Sequence, residues 1–164
     1  MAIDKNDFWD VSDSNRPLLT DEMVKSAEEE LGVKLPDLLI DLLRIQNGGY
    51  TKGFAFPMTQ RTSWSPDHIP FTELYGIVLD SVNQTTQNMM ETSYMTDEWG
   101  LPEKQVLLTG EGHWWITLDY RESQIPCVRW IDVECNEEVV VAEDFDTFID
   151  GLVPIEKFTP SDER

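Results

Sequence analysis

The residues best suited to covalent chemistry are two cysteines and two histidines, and their spacing matches no familiar catalytic or metal-binding pattern. Cys127 and Cys135 could act as thiolate nucleophiles only with an imidazole beside them, and nothing around either cysteine indicates one. A cysteine within a strand is more often a small buried apolar group. His68 and His113 also lack partners at the spacing of a zinc site. We therefore predict no catalytic residue and no bound metal.

Three further segments match ligand-binding loops only in part. Asn47-Gly48-Gly49 and Gly110-Glu111-Gly112 lack the spacing and the trailing lysine of a phosphate-binding loop, so they predict a helix end and a hairpin turn. Residues 132–143 place oxygen-bearing side chains at several ligand positions of a calcium loop, but Glu137 stands where that loop requires glycine. No Gly-x-Ser-x-Gly elbow supplies a serine nucleophile. We predict a protein that is not an enzyme and has no cofactor.

Charge is the least ordinary property of the chain, because 32 acidic against 12 basic residues give a formal net charge of -20. Such a charge disfavours nucleic acid and anionic membranes, both of which attract cations. Residues 130–156 contain acidic side chains and no lysine or arginine. Solubility or salt tolerance could explain this, but a merely soluble surface usually mixes its signs. We expect a basic protein partner, contacted by Asp132, Glu134, Glu137 and Glu138.

Tryptophans are the candidate anchors for this contact, since a partly exposed tryptophan beside charged residues is typical of an interface hot spot. Trp114 and Trp115 are neighbours on one predicted strand and therefore point to opposite faces of a sheet. If helices cover one face only, one of them lies near the surface; if both faces are covered, both belong to the core. Trp64 lies in a loop with proline and serine, where packing explains it less well. We expect Trp64 and Trp115 at the contact.

The N-terminal third of the chain predicts two amphipathic helices. Thr20 is a typical N-cap with acidic residues after it, and Gly32 can end the first helix in the left-handed conformation. Pro36 suits the first position of the second helix, whose leucines form one apolar stripe. The segment Asn47-Gly48-Gly49 then ends that helix.

The remainder of the chain predicts strands and two further helices. Short apolar runs at 54–56 and 74–78 are bounded by prolines, which confine strands to edges or ends. A helix is expected within 81–99 and should end at Gly100, and a closing helix should be capped by Asp144. Between these helices we expect strands at 106–108, 113–120, 127–133 and 139–142.

These elements predict a single α+β domain, in which a mainly antiparallel sheet packs against helices. The domain should span residues 18–153, after a lead-in of residues 1–17 that docks through Phe8 and Trp9 and before a loosely held tail of residues 154–164. No apolar run approaches bilayer length, no signal peptide is visible, and two cysteines form no disulfide framework. We expect a cytoplasmic protein without membrane insertion.

Several short motifs follow one another in a specific order over residues 18–152. A glutamate-rich helix leads into Leu31-Gly32 and Leu35-Pro36, and a second helix ends at Asn47-Gly48-Gly49. Later, Leu118-Asp119-Tyr120 precedes the last strands, and Phe145-x-x-Phe148 lies in the closing helix. This order resembles the signature of the SUKH superfamily, the Smi/Knr-type proteins. Residues 57–105 match no part of that signature.

The resemblance implies an α+β fold with a mainly antiparallel sheet, no enzyme activity and no catalytic motif. Many bacterial members of the superfamily are taken to be immunity proteins that neutralise toxins, often nucleases, whereas Syd-like relatives bind the Sec translocon and fungal relatives act in cell-wall regulation. Our hypothesis is an immunity protein that binds a basic toxin domain through its acidic surface. The alternative is a regulatory or scaffold protein that binds a housekeeping partner.

Overall fold

Seven strands form two antiparallel sheets in the computed structural model, which describes residues 7–10, 18–77, 88–110 and 113–158. One sheet has the order β2-β1-β7 and the other β3-β4-β5-β6. The strands are β1 (Gly49–Pro57), β2 (His68–Leu74), β3 (Gln105–Gly110), β4 (Trp114–Asp119), β5 (Cys127–Asp132), β6 (Glu137–Ala142) and β7 (Val153–Pro154). The helices are α1 (Asp21–Leu31), α2 (Asp37–Ile45), α3 (Thr92–Trp99) and α4 (Phe145–Asp150). The predicted α+β class is confirmed.

Local capping signals place the ends of α1 and the start of α4 where the sequence predicts them. The Thr20 hydroxyl accepts a hydrogen bond from the Met23 amide at the start of α1, and Gly32 ends that helix with a φ of 75°. The Asp144 carboxylate accepts from the Thr147 amide, 2.8 Å away, at the start of α4. Pro36 precedes α2 as its cap residue, one position before the predicted one.

The turn from α2 into β1 is fixed by a buried asparagine. Asn47 is 3 % exposed, and its side chain bonds both backbone groups of Ile77. Gly48 and Gly49 follow with φ values of 92° and 128°, which favour glycine. The Asn-Gly-Gly segment therefore ends a helix, as predicted, and also starts the first strand.

The strand expected at 74–78 lies earlier in the chain, at residues 68–74. Pro70 occurs within β2, and an edge strand such as β2 tolerates a proline. The chain then leaves this sheet, and the Tyr75 amide donates to the Leu108 carbonyl of β3 over 2.7 Å, which connects the two sheets. Of the helix expected within 81–99, α3 and a preceding 3-10 turn at Met89–Glu91 are described; residues 81–87 lie outside the described residues.

Both faces of β4 are covered, so both of its tryptophans are buried. Trp114 stacks on Trp130 with ring centroids 4.7 Å apart, and α3 places Trp99 over Trp115 at 5.8 Å. The exposed fractions are 5 % for Trp114 and 1 % for Trp115. Trp115, which was expected at the contact, belongs instead to the core, because α3 packs on the second face of the sheet.

Segments at both ends of the described chain pack onto the sheet formed by β1 and β2. Phe8 is fully buried and stacks on Phe54, and the Trp9 indole donates to the Leu42 carbonyl at 2.9 Å, so the docking predicted for these two residues is confirmed. At the other end, β7 pairs with β1 and Phe158 stacks on His68. The expectation of a loosely held tail is thus wrong for residues 154–158, while the rest of the tail lies outside the described residues.

No helix in the described part is both long enough and apolar enough to cross a bilayer.

Candidate interaction surface

A loop before β2 is tied to the hairpin formed by β5 and β6. The Ser63 hydroxyl donates to Asp132 Oδ2 at 2.5 Å, and its backbone amide donates to Glu137 Oε1 at 2.8 Å. Thr62, only 4 % exposed, accepts from the amides of Trp64 and Ser65 and holds the loop in a tight turn. We call loop 62–67 and the hairpin segment 132–137 the hairpin surface.

Trp64 is partly exposed on the hairpin surface and has a defined orientation. It is 40 % exposed, and its ring meets His68 edge-on at 5.1 Å. His68 in turn stacks on Phe158 at 4.1 Å and lies 2.8 Å from an oxygen of Asp67. The hydrogen bond from His68 lowers the pKa of Asp67, so this carboxylate is charged at neutral pH. The hairpin surface thus combines Trp64, which is held in place by His68, with acidic groups such as Asp67.

Asp132 is a buried residue of the hairpin surface, and its hydrogen bonds hold the turn and the loop in place. The residue is 2 % exposed, and its Oδ1 accepts from the backbone amides of Glu134 and Cys135, at 2.9 and 3.1 Å. Burial raises the pKa of Asp132, but hydrogen bonds from Ser63 and those two amides outweigh it, so the net pKa is lowered. Asp132 was expected at the contact, but it is buried, and its oxygens fix the turn and the loop.

Of the other predicted acidic residues, Glu134 lies in the turn before β6, and Glu137 and Glu138 point to opposite faces of β6. Glu134 is open to solvent, with a side chain 65 % exposed, and lies in the turn between the strands. Glu137 is half-buried and also accepts from the Trp130 indole at 2.9 Å. Glu138 points to the opposite face and pairs with Arg121 at 2.8 Å. The structure therefore ties the loop that carries Trp64 to Glu137 and, through Asp132, to the turn that carries Glu134. It places Glu138 on the other face.

A charge cluster that the sequence analysis missed lies on that opposite face. Arg129 Nε donates to Asp119 Oδ2 at 2.6 Å, and Arg121 and Gln105 donate to the same carboxylate. Burial raises the pKa of Asp119, but these hydrogen bonds dominate and hold it far below its usual range. With Glu138, the cluster pairs two arginines with two carboxylates, so it adds no net charge. Strand alternation places Asp119 on the same face of β4 as Trp115, and this pattern could have revealed the buried carboxylate from the sequence.

The neighbouring serine, histidine and cysteine side chains are not arranged as a nucleophile and base. The Ser63 hydroxyl donates to Asp132, while His113 Nδ1 lies 3.6 Å from the other oxygen of that carboxylate. Burial and the adjacent Asp132 charge raise the pKa of Cys135, which disfavours its thiolate. Among the described residues, no group of histidine, cysteine, aspartate and glutamate side chains could hold a metal ion.

The fold and the hairpin surface define an α+β domain with an acidic, tryptophan-bearing face. Residues 18–151 match the SMI1 / KNR4 family (SUKH-1), and the chain belongs to this family. The predicted SUKH membership is thereby confirmed. Members of this family are generally non-enzymatic immunity or regulatory proteins. No curated protein and no solved structure is significantly similar to the chain.

Proposed function

We propose that this protein is an immunity protein that binds a cognate bacterial toxin of basic charge, such as a nuclease, and blocks it. Family membership supports an immunity-type role, and a net charge of -20 favours a basic partner. A nuclease cleft that holds phosphates is lined by cations. An acidic protein surface competes with the nucleic acid for those cations and excludes the substrate.

The observation that carries the proposal is the pair of hydrogen bonds that Ser63 donates, one to Asp132 and one to Glu137. These bonds hold the loop that carries Trp64 against the hairpin that carries Glu134 before any partner arrives, so little conformational entropy is lost on binding. Trp64 supplies apolar contact area of the kind found in interface hot spots, and Glu134 supplies charge at the rim. Long-range attraction speeds the encounter, and the tryptophan slows dissociation.

The proposal is tested by capturing the partner and measuring its toxicity. The full chain is immobilised, partners from native lysate of the source cells are identified by mass spectrometry, and each is expressed alone and together with this protein. We expect a basic partner that stops growth when alone and is harmless when co-expressed. A captured partner that is a harmless housekeeping protein would instead support the regulatory or scaffold alternative.

Matched variants then locate the interface. Trp64→Ala should abolish much of the protection, whereas Trp99→Ala should not, although both tryptophans are 40 % exposed. Glu134→Lys should weaken protection more than Glu29→Lys, an identical charge change on α1. Equal effects within either pair would place the interface away from the hairpin surface.

A further inference from the structure

A small pocket opens where the two sheets meet, next to the hairpin surface. It has a volume of about 150 Å³, and two tryptophans and one carboxylate contribute to its walls. β2 contributes the carboxylate of Glu73, β4 contributes Trp114, and the loop contributes Trp64. The remaining lining residues are Pro70, Thr72, Thr109 and Ile155.

The walls of this pocket are held in place by contacts outside it. Trp114 is fixed by its stacking on Trp130, and Trp64 by its edge contact with His68. The Thr109 hydroxyl donates to Glu73 Oε1 at 3.3 Å and orients the carboxylate. A site whose walls are already ordered loses little entropy when a ligand enters.

The lining residues suit both the charged end and the methylene stem of a cationic side chain. Indole rings attract ammonium and guanidinium groups through their electron-rich faces, and tryptophan does so best. A carboxylate at the same site adds a charge-assisted hydrogen bond. Pro70 and Ile155 offer apolar surface to a methylene stem. An anionic ligand would be repelled both by Glu73 and by the net charge of -20.

The volume admits one side chain and not a larger ligand. About 150 Å³ equals the liquid volume of about five water molecules, and a lysine side chain has about as many non-hydrogen atoms. Drug-sized ligands occupy pockets of roughly 300 Å³ or more. The pocket is therefore of the size that receives a single residue from a protein surface.

We propose that this pocket receives one lysine or arginine side chain of the protein partner, an assignment that rests on the proposed function. Trp64 then serves twice, as an exposed contact on the hairpin surface and as a wall of the pocket. The partner's cation enters between the two indoles and pairs with Glu73. This contact gives the acidic surface a defined register on the partner, which dispersed charge alone does not provide.

The test uses n-butylammonium chloride as a mimic of the lysine side chain and 1-butanol as its neutral counterpart, at constant ionic strength. Binding to the full-length protein is followed by NMR through the indole N–H signals of Trp64 and Trp114. We expect saturable binding of butylammonium and about tenfold weaker binding of butanol. Glu73→Gln should weaken butylammonium binding by about tenfold, and Glu29→Gln should leave it unchanged. Equal binding of the two probes, or an unaffected Glu73→Gln variant, would overturn the assignment.

A second variant, Thr72→Arg, tests the same pocket independently in case Glu73→Gln does not fold. Thr72 is exposed and lines the pocket, so Thr72→Arg fills it with a cation from the protein itself. We expect this variant to lose butylammonium binding and to bind the captured partner more weakly. Full partner binding by Thr72→Arg would reject the pocket as the partner's contact and leave the immunity function standing. A non-toxic partner would reject that function, while the probe titration would still decide the chemistry of the pocket.

Discussion

The side-chain amide of Asn47 forms two hydrogen bonds with the backbone of one residue, Ile77. Asn47 Nδ2 donates to the Ile77 carbonyl at 2.7 Å, and the Ile77 amide donates to Asn47 Oδ1 at 2.8 Å. All of these groups are buried. The asparagine therefore takes the place of a strand partner and joins the end of α2 to the segment that connects the two sheets.

Replacing this asparagine should destabilise the whole domain. Asn47→Ala leaves the amide and carbonyl of Ile77 buried without these partners, which we expect to lower the free energy of unfolding by about 3 kcal/mol. Urea unfolding measures this change. Gln46→Ala serves as the neighbouring control, because the Gln46 side chain donates to the Gly48 carbonyl and is half-buried. A similar small loss in both variants would contradict the role given to Asn47.

Two glycines should respond differently to alanine because their surroundings differ. A Cβ at Gly76 would lie 2.1 Å from the Asn47 carbonyl oxygen, so Gly76→Ala must displace backbone and should lower the free energy of unfolding by about 3 kcal/mol or more. A Cβ at Gly32 would meet nothing within 4 Å, and its φ of 75° costs alanine only about 1 kcal/mol. Thermal unfolding of both variants checks the order, and the reverse order would refute it.

The buried Asp119 carboxylate should make stability depend on pH in the acidic range. Its pKa is lowered in the folded state, so its contribution is complete above the unfolded value of about 3.9 and is lost as the pH falls below it. Asp119→Asn removes a buried partner of Arg129 and should cost about 3 kcal/mol at pH 7. Glu138→Gln, at a side chain 41 % exposed, should cost less than about 1 kcal/mol. Urea unfolding between pH 3 and pH 7 should show a flatter profile for Asp119→Asn than for the unsubstituted protein.

Loss of the Ser63 hydroxyl should affect binding more than folding. Ser63→Ala removes the bond to Asp132 and loosens the loop that carries Trp64. Because Ser63 is exposed, we expect less than about 1 kcal/mol of lost stability, together with faster dissociation of the partner. Surface plasmon resonance and thermal unfolding of the same variant separate the two effects. Unchanged dissociation would show that the fixed loop is not needed for binding.

Association with the partner should slow as salt rises. Exposed charges are screened beyond about 8 Å at physiological ionic strength, so we expect the association rate constant to fall by about tenfold or more from low salt to physiological salt. Stopped-flow mixing at several salt concentrations measures this dependence. Trp64→Ala should change the dissociation rate and keep the same salt slope. An association rate that does not respond to salt would exclude electrostatic steering.

The sequence predicted best what depends on neighbouring residues. The caps at Thr20, Gly32 and Asp144 are local signals, and all three lie where they were expected. β2 was misplaced because its proline is tolerated only at a sheet edge, and edge position depends on distant pairing. The exposure of Trp115 was misjudged for the same reason, since it depends on where α3 packs.

The candidate site was predictable in its composition and not in its geometry. Trp64, Glu134 and Glu137 were named from residue type and charge, and they lie on the loop and the hairpin that Ser63 joins. The bond between Ser63 and Asp132 joins residues 69 positions apart, and no local pattern reveals it. The separation of Glu138 onto the arginine face follows from strand alternation and could have been predicted from the sequence.

The packing of Phe8 and Trp9 has a consequence for the size of the cooperative unit. The family match begins at residue 18 and ends at 151, yet Phe8 lies in the core and β7 starts at Val153. A polypeptide trimmed to the bounds of homology would lose a stacked aromatic ring, worth about 3–5 kcal/mol when removed from a core. Shared sequence here underestimates the stable folding unit, so expression boundaries should start before residue 7 and extend past residue 158.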